Sequence, residues 1–324
     1  MSKPTDRAVV TGAAGFIGAN LARKLLGHGS EVHLLVRPED SDWRLRDIAG
    51  SLTMHTADIT DRDRVTALFK DIGPGSVFHL AAHGAYSWQE DLEQMVATNI
   101  LGTNILLSAA AEAGVAAFVN AGSSSEYGFK DHACDENEPL EPNSYYAVTK
   151  AAASHLCKLA PVHSEMRCIT LRLYSIYGPW EEPRRLLPTL VIEGLDGRLP
   201  PLVDPKVARD FVYVDDATDA FVLAAEKADK AAGPVYNVGT GDMTTIEQLV
   251  AAAKDILHIQ AEPEWASMPD RSWDTGYWVS NPERIRKELG WEATTGTRDG
   301  IARMADWFRA NPLVREYYRK EIES

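Results

Sequence analysis

Thr11-Gly12-Ala13-Ala14-Gly15-Phe16-Ile17-Gly18 follows a short apolar run, Arg7–Thr11, and leads into residues 17–26, whose apolar side chains recur at helical spacing. The order is strand, turn, helix. A glycine at every third place permits a tight turn and close backbone approach, and it aims helix N-terminal N–H groups at a pyrophosphate. Glycines that merely punctuate a turn are the alternative, but their place between the first strand and its helix favours dinucleotide binding.

Outward from this stretch the alternation repeats, with strands expected at 31–36, 52–55, 76–81, 117–121 and 168–173 and helices at 61–69, 94–113 and 145–159. This predicts an α/β fold, a doubly wound parallel sheet of Rossmann type covered on both faces. After Tyr177 the texture changes, because Gly178, Pro179, Pro183, Pro188, Pro200, Pro201 and Pro205 interrupt the alternation. The expected division is a dinucleotide-binding domain over 1–177 and a smaller substrate-binding lobe over 178–324, with returns to the sheet at 211–214 and 235–238 and outer helices at 246–257 and 301–308.

The length of 324 residues allows a core that encloses cofactor and substrate together, and 45% hydrophobic with 25% charged residues is the composition of a soluble globular chain. A formal charge of -14 repels polyanions, so neither nucleic acid nor an anionic membrane is an expected partner. No run of 18 apolar residues exists for a membrane span, and MSKPTDRAVV lacks the plan of a signal peptide, which points to the cytoplasm. Cys134, Cys157 and Cys168 form no C-x-x-C or Cys/His ligand pattern and read as packing residues in a reducing compartment.

At the end of the second strand, Arg37 stands where an NAD site carries Asp or Glu for the ribose hydroxyls. A guanidinium matches the extra phosphate of NADP, so NADP is the expected cofactor and NAD the alternative. A solvated arginine at a strand end is the bland reading. Asp58, followed by Ile59, is placed to bond the adenine amine or to cap a helix. Tyr146 and Lys150 lie four apart on one helix face, where Lys150 would bind the nicotinamide ribose and lower the pKa of the Tyr146 phenol. A serine of Ser123-Ser124-Ser125, at the end of the fifth strand, would complete a Ser-Tyr-Lys set by bonding the reacting oxygen.

With TGAAGFIG at 11–18, HLAA at 79–82, NILGT at 99–103, SSSEYG at 123–128, YAVTK at 146–150, RDFVYVDD at 209–216 and YNVGTG at 236–241, the chain resembles the extended short-chain dehydrogenase/reductase family. These are NAD(P)-dependent nucleotide-sugar epimerases, dehydratases and reductases. The resemblance implies that Tyr146 is the acid/base, Lys150 its electrostatic partner and Ser123 the matching hydroxyl. It implies cofactor contacts from Gly12, Gly15, Phe16, Ile17, Gly18, Leu80, Ala81 and Ala82. Asn99 would support the lysine or pack its helix. Arg209 and Arg271 would clamp the sugar nucleotide's diphosphate, as bidentate donors suit. His83, Ser124 and Ser175 would line the sugar, with Tyr86, Ser87 and Trp88 near, and the helices carrying Gln94 and Tyr146 would pair two subunits into a homodimer.

Family dehydratases resemble one another in a Thr-Asp-Glu where this chain has Ser123-Ser124-Ser125, so elimination of water is not expected; Glu126 would match only with the register slipped by one residue. Ser175 replaces an asparagine common among epimerases. Together with Arg37, this leads to an expected reduction at C4 of a nucleoside diphosphate 4-keto-6-deoxyhexose by NADPH. The alternative is a nucleotide-sugar 4-epimerase, and a rival class is a non-catalytic NADP(H) sensor.

Overall fold

The computed structural model describes residues 3–162, 164–227, 233–268 and 277–323. Strands β1 (Arg7–Thr11), β2 (Glu31–Val36), β3 (Thr53–Thr56), β4 (Ser76–His79), β5 (Ala117–Ser123) and β6 (Arg167–Leu173) alternate with helices. These are α1 (Phe16–Gly27), α2 (Arg62–Ile72), α3 (Leu92–Met95), α4 (Thr103–Glu112) and α5 (Tyr145–Leu159). With a later strand, β10 (Val235–Val238), they form one seven-stranded parallel sheet in the order β10-β6-β5-β4-β1-β2-β3. The chain belongs to the Rossmann class, as expected.

Successive residues of a strand face opposite sides, so a sheet covered on both faces needs apolar residues at every place. Ala8, Val10, Ala117, Val119, Ile169 and Leu171 pack with α1 and α7 (Val214–Lys227) on one face. Val9, Val77, Phe118 and Cys168 pack with α2, α4 and α5 on the other. Asp61 caps α2 by accepting from Arg64 N at 3.0 Å, and Gly73, at φ +58°, ends it in the left-handed conformation that glycine adopts most readily.

Two expectations change. The helix over 94–113 is instead α3, a π-helical segment Val96–Gly102, and α4. The return to the sheet at 211–214 does not occur. The place beside β6 is taken by β10 (Val235–Val238), paired Val235↔Thr170 through Val238↔Leu173. Strand β9 (Phe211–Tyr213) therefore pairs in parallel with β7 (Ser175–Tyr177), just beyond the end of β6, and Val214 already starts α7.

The second half adds α6 (Leu186–Leu195), α8 (Ile246–Leu257), α9 (Glu283–Leu289), α10 (Thr297–Ala310) and α11 (Pro312–Glu323), with the short antiparallel pair β8 (Ala208–Arg209) and β11 (Thr244–Thr245). Its separate core gathers Leu190, Val191, Leu249, Met304, Phe308 and Tyr318. Among the described residues, no helix is long and apolar enough to cross a membrane.

Asp210, fully buried between β8 and β9, ties this half together. Its Oδ1 accepts from Thr240 N (2.8 Å) and Oγ1 (2.7 Å), and its Oδ2 from Gly241 N (3.1 Å), Ser280 N (3.1 Å) and Ser280 Oγ (2.6 Å). Truncation orphans several buried donors, each costing about 1–3 kcal/mol. Asp210→Ala should therefore lower unfolding stability by about 3 kcal/mol or more in urea titrations; a loss under about 0.5 kcal/mol would remove Asp210 from this role.

Candidate active site

The cradle for a dinucleotide is built by absence of side chains. Gly12 sits at φ +70°, and a Cβ there would stand 2.5 Å from Ala81 N and 2.6 Å from the Leu80 carbonyl carbon, so the HLAA backbone lies directly over the turn. A Cβ on Gly18 would overlap the Gly12 carbonyl, which fixes α1 against the loop. Gly15 caps α1 with no side-chain acceptor, and its own N–H donates to Gly12 O at 3.0 Å. The first N–H groups of α1 are thus offered to an anion, and the cradle fits a dinucleotide diphosphate. Phe16 is buried in the core, which limits its contribution to the backbone, whereas Ile17 is partly buried beside it.

The adenosine end answers the sequence less directly. Arg37 bonds Asp40 Oδ1 through Nε (3.2 Å) and Nη2 (2.8 Å) and lies 3.4 Å from Glu39. Burial lowers its pKa, but the hydrogen bond to Asp40 and the charges of Asp40, Glu39 and Asp58 outweigh this and raise it. The guanidinium is therefore already answered by carboxylates. Asp58 accepts from Thr60 N (2.8 Å) and Oγ1 (2.7 Å) in the turn before α2, and Ile59 is buried against Gly102 of the π-helical segment.

At the C-terminal end of the sheet, Ser123 closes β5, and Ser144 caps α5 through Ala147 N (3.2 Å), placing Tyr146 in the first turn. Lys150, one turn on and buried, donates to Ala121 O at 2.5 Å. Burial lowers its pKa, with Glu126 acting against that. Tyr146 differs from expectation. Its phenol is pushed up to about 12, because burial outweighs the hydrogen bond from Ser123 that pulls it down, with Glu126 and Tyr86 adding to the rise. Lys150 commits one of its three N–H donors to the β5 carbonyl, and burial of the phenol outweighs any lowering. The geometry still joins all three residues: Ser123 meets Tyr146, and Lys150 grips the strand that Ser123 ends.

Asn99 does not bond Lys150. It brackets the backbone of His83, accepting from N and donating to O at 2.8 Å each, and donates to Thr149 Oγ1 at 2.9 Å. His83 is thereby held at the mouth of the site next to Ala82. Tyr86 and Trp88 follow with their rings stacked at 4.7 Å.

Ser124 accepts from Trp278 Nε1 (3.0 Å), and the Arg209 guanidinium lies 5.8 Å from the Trp278 ring while donating to Ala208 O (2.8 Å). Ser175 opens β7, its N–H donating to Asp210 O at 3.0 Å. Arg271 lies outside the described residues. Sequence reading missed Trp278, which links Ser124 to Arg209, and the structural role of Glu126, whose Oε1 accepts from Ser123 N at 2.8 Å while Oε2 accepts from the buried Arg172 at 2.9 Å. The only signal for Glu126 was its place three residues after Ser123, the spacing of a capping box.

A family model described as the NAD dependent epimerase/dehydratase family matches residues 8–239. A dTDP-glucose 4,6-dehydratase of Streptomyces griseus is 32% identical, over 96% of this chain and 98% of its own. A UDP-glucose 4-epimerase of Mycolicibacterium smegmatis is 33% identical, over 94% and 98% respectively. Among solved structures, a Thermus thermophilus UDP-glucose 4-epimerase in complex with NAD superposes with TM-score 0.83 at 28% identity, covering 94% of this chain and 99% of that one. With the glycine cradle and the Ser123, Tyr146 and Lys150 arrangement on the same frame, the chain belongs to the NAD-dependent epimerase/dehydratase family, whose members are nucleotide-sugar enzymes of the extended short-chain dehydrogenase/reductase type.

Proposed function

We propose that the chain is an NAD-dependent 4-epimerase of a nucleoside diphosphate hexose, with Tyr146, Ser123 and Lys150 as its catalytic residues. The observation that carries the choice is the pairing of Arg37 with Asp40 and Glu39, beside Asp58. A 2′-phosphate would bring about two further negative charges to a place where carboxylates already outnumber the one guanidinium. The case for NADPH, and with it the expected 4-keto reductase, loses its main support. Relatives named for UDP-glucose and dTDP-glucose support a nucleoside diphosphate hexose as substrate.

In this reading the α1 N-terminus and Gly12 hold the cofactor diphosphate, Asp58 and Ile59 face the adenine, and Lys150 holds the nicotinamide ribose. NAD, when bound, would supply the acceptor for the C4 hydride and return it, and its positive nicotinamide would bring the raised Tyr146 phenol down toward the phenolate. Tyr146 would then draw the proton from the C4 hydroxyl, with Ser123 passing its own hydrogen bond to the same oxygen. When the 4-keto sugar has turned in the pocket, Tyr146 returns the proton. The lobe over 178–324 receives the nucleotide, with Arg209 and Arg271 on its diphosphate and His83, Ser124 and Ser175 lining the sugar. The chain works in the cytoplasm as a homodimer through α3 with the π-helical segment after it and α5, where Leu92, Val96, Leu101, Tyr145 and Val148 are exposed apolar residues.

The reductase is the second reading, favoured by Ser175 in place of the epimerase asparagine. Two measurements separate them. Incubation of UDP-glucose and related sugars with the chain should give the C4 epimer with no net change in nicotinamide absorbance. One NADPH consumed per sugar, on a 4-keto-6-deoxy substrate, would establish the reductase instead. Arg37→Ala should leave affinity for NADH and NADPH alike within about twofold, since an exposed ion pair contributes little; a tenfold loss confined to NADPH would overturn the choice of NAD.

Tyr146→Phe tests the triad. The ring keeps its packing and loses the proton, so turnover should fall by about 10² to 10⁴ with cofactor affinity nearly unchanged. Wild-type turnover in this variant on a substrate the enzyme converts would remove Tyr146 from catalysis.

A further inference from the structure

We propose that His132, Cys134 and Glu138 form a binding site for a zinc-class dication, on the segment that follows Ser123 and apart from the hydride-transfer site. The ligand atoms of the three all lie within 4.8 Å of one another, the one such convergence of three His, Cys, Asp or Glu residues among the described residues. Thiolate, imidazole and carboxylate together select zinc, cobalt or cadmium over magnesium or calcium, and three protein ligands leave a fourth tetrahedral position open.

The surroundings prepare the ligands. Asp131 Oδ1 meets His132 Nδ1 at 2.9 Å, the second carboxylate that orients a metal-binding imidazole, and this turns Nε2 toward Glu138 Oε2, also at 2.9 Å. Glu138 is steadied from its other oxygen, which accepts from Asp135 N at 2.9 Å. Cys134 is buried, and its backbone is fixed on both sides: its carbonyl accepts from Asn237 Nδ2 (2.9 Å) and Asn281 N (3.0 Å), and it bridges to Ser280. The sulfur donates to His132 O at 3.8 Å, on the side where His132, on the surface, can close over an ion. Of the charges around Cys134, Glu138 and Asp135 favour a cation, and Lys130 and Arg172 oppose it. Lys130 is committed to Glu141 at 2.6 Å and Arg172 to Glu126 at 2.9 Å, so both opposing charges are answered. His132, Cys134 and Lys130 line a cleft that also holds Ser124 and Trp278, so a bound ion would brace the loop behind the sugar-facing residues.

The test uses the purified full chain, freed of adventitious metal and titrated with Zn²⁺ by calorimetry and with Co²⁺ by absorbance. One equivalent of each should bind, Co²⁺ producing a thiolate-to-metal charge-transfer band. Cys134→Ser should abolish that band, and His132→Ala, an exposed change that leaves melting of the metal-free chain unaltered, should weaken Zn²⁺ binding at least tenfold. Asp131→Asn should weaken it by about tenfold through the imidazole alone. Absence of saturable Zn²⁺ binding near one equivalent, or equal binding by wild type, Cys134→Ser and His132→Ala, would overturn the proposal and leave the cluster as a hydrogen-bonded turn.

Discussion

A carboxylate with no exposed surface needs hydrogen-bond donors or a cation to keep its charge, and Glu126 is answered by the Arg172 cation at 2.9 Å. Removing either partner of such a pair costs about 3–5 kcal/mol, so much of the site hangs on it. Glu126 holds the Ser123 N–H, which sets the end of β5. Arg172, on β6, also donates to Tyr127 OH at 2.9 Å and lies over its ring at 4.6 Å. Tyr127 donates on to Asn237 of β10 at 2.8 Å, and Asn237 donates to Cys134 O. Three strands and the following loop are thereby locked to one buried charge pair. Gly122 makes room for it, since a Cβ there would come within 2.9 Å of Glu126 Oε1 and 2.7 Å of Thr170 Cγ2.

A second buried chain sets the cofactor side. Thr103 Oγ1 donates to Asn99 O (2.7 Å), so it must accept from His79 Nε2 (2.8 Å), and Nδ1 then accepts from Thr11 Oγ1 (2.8 Å), which itself receives Ala81 N–H (3.3 Å). His79 is neutral, because burial and, after it, the charge of Lys150 push its pKa down to about 3. One ring thus joins the ends of β1 and β4 to α4 and fixes the approach of the HLAA backbone to Gly12. The π-helical segment belongs to the same device: it sets Asn99 to bracket His83, as π-helical turns at functional sites often do.

Much of the fold was legible because its signals are local. Apolar runs of strand length between glycine turns mark β1 to β6, and α5 and α8 match their expected bounds, each beginning after a side-chain cap, Ser144 and Thr245. The miss at 211–214 is of another kind: an apolar run says that a strand forms, and competition for the free edge of β6 says where it pairs. The site divides likewise. Tyr146 and Lys150 showed as a pair because a helix turn fixes their spacing, and Ser123 came with the family resemblance. Glu126 with Arg172, Asp210 with Ser280, and Trp278 with Ser124 are separated by 46, 70 and 154 residues, and no local pattern carries such pairs. The pairing of Arg37 with Asp40 and Glu39 was not legible, because a residue type at a strand end says nothing about the carboxylates that fold beside it.

Overall similarity does not choose between epimerase and dehydratase, because relatives named for both reactions match this chain almost equally well. The choice falls to what stands above the sugar. Eliminating water after oxidation needs a carboxyl acid and a carboxylate base, each able to change its protonation during the reaction. Ser124 and Ser125 are hydroxyls: Ser124 holds the Trp278 indole, and the Oγ atoms of Ser125 and Ser123 lie 2.7 Å apart. Glu126 is the one carboxylate in that turn, and it is buried with both oxygens bound, one to the Ser123 N–H and the other to Arg172. To serve as a base it would have to leave Arg172 unpaired in the core, at a cost of about 3–5 kcal/mol that offsets the roughly 3–5 kcal/mol general base catalysis returns. The chemistry proposed for these residues is compatible with both constraints: Tyr146, with Ser123 and Lys150, would move only the proton at C4, and the hydride would be NAD's to carry.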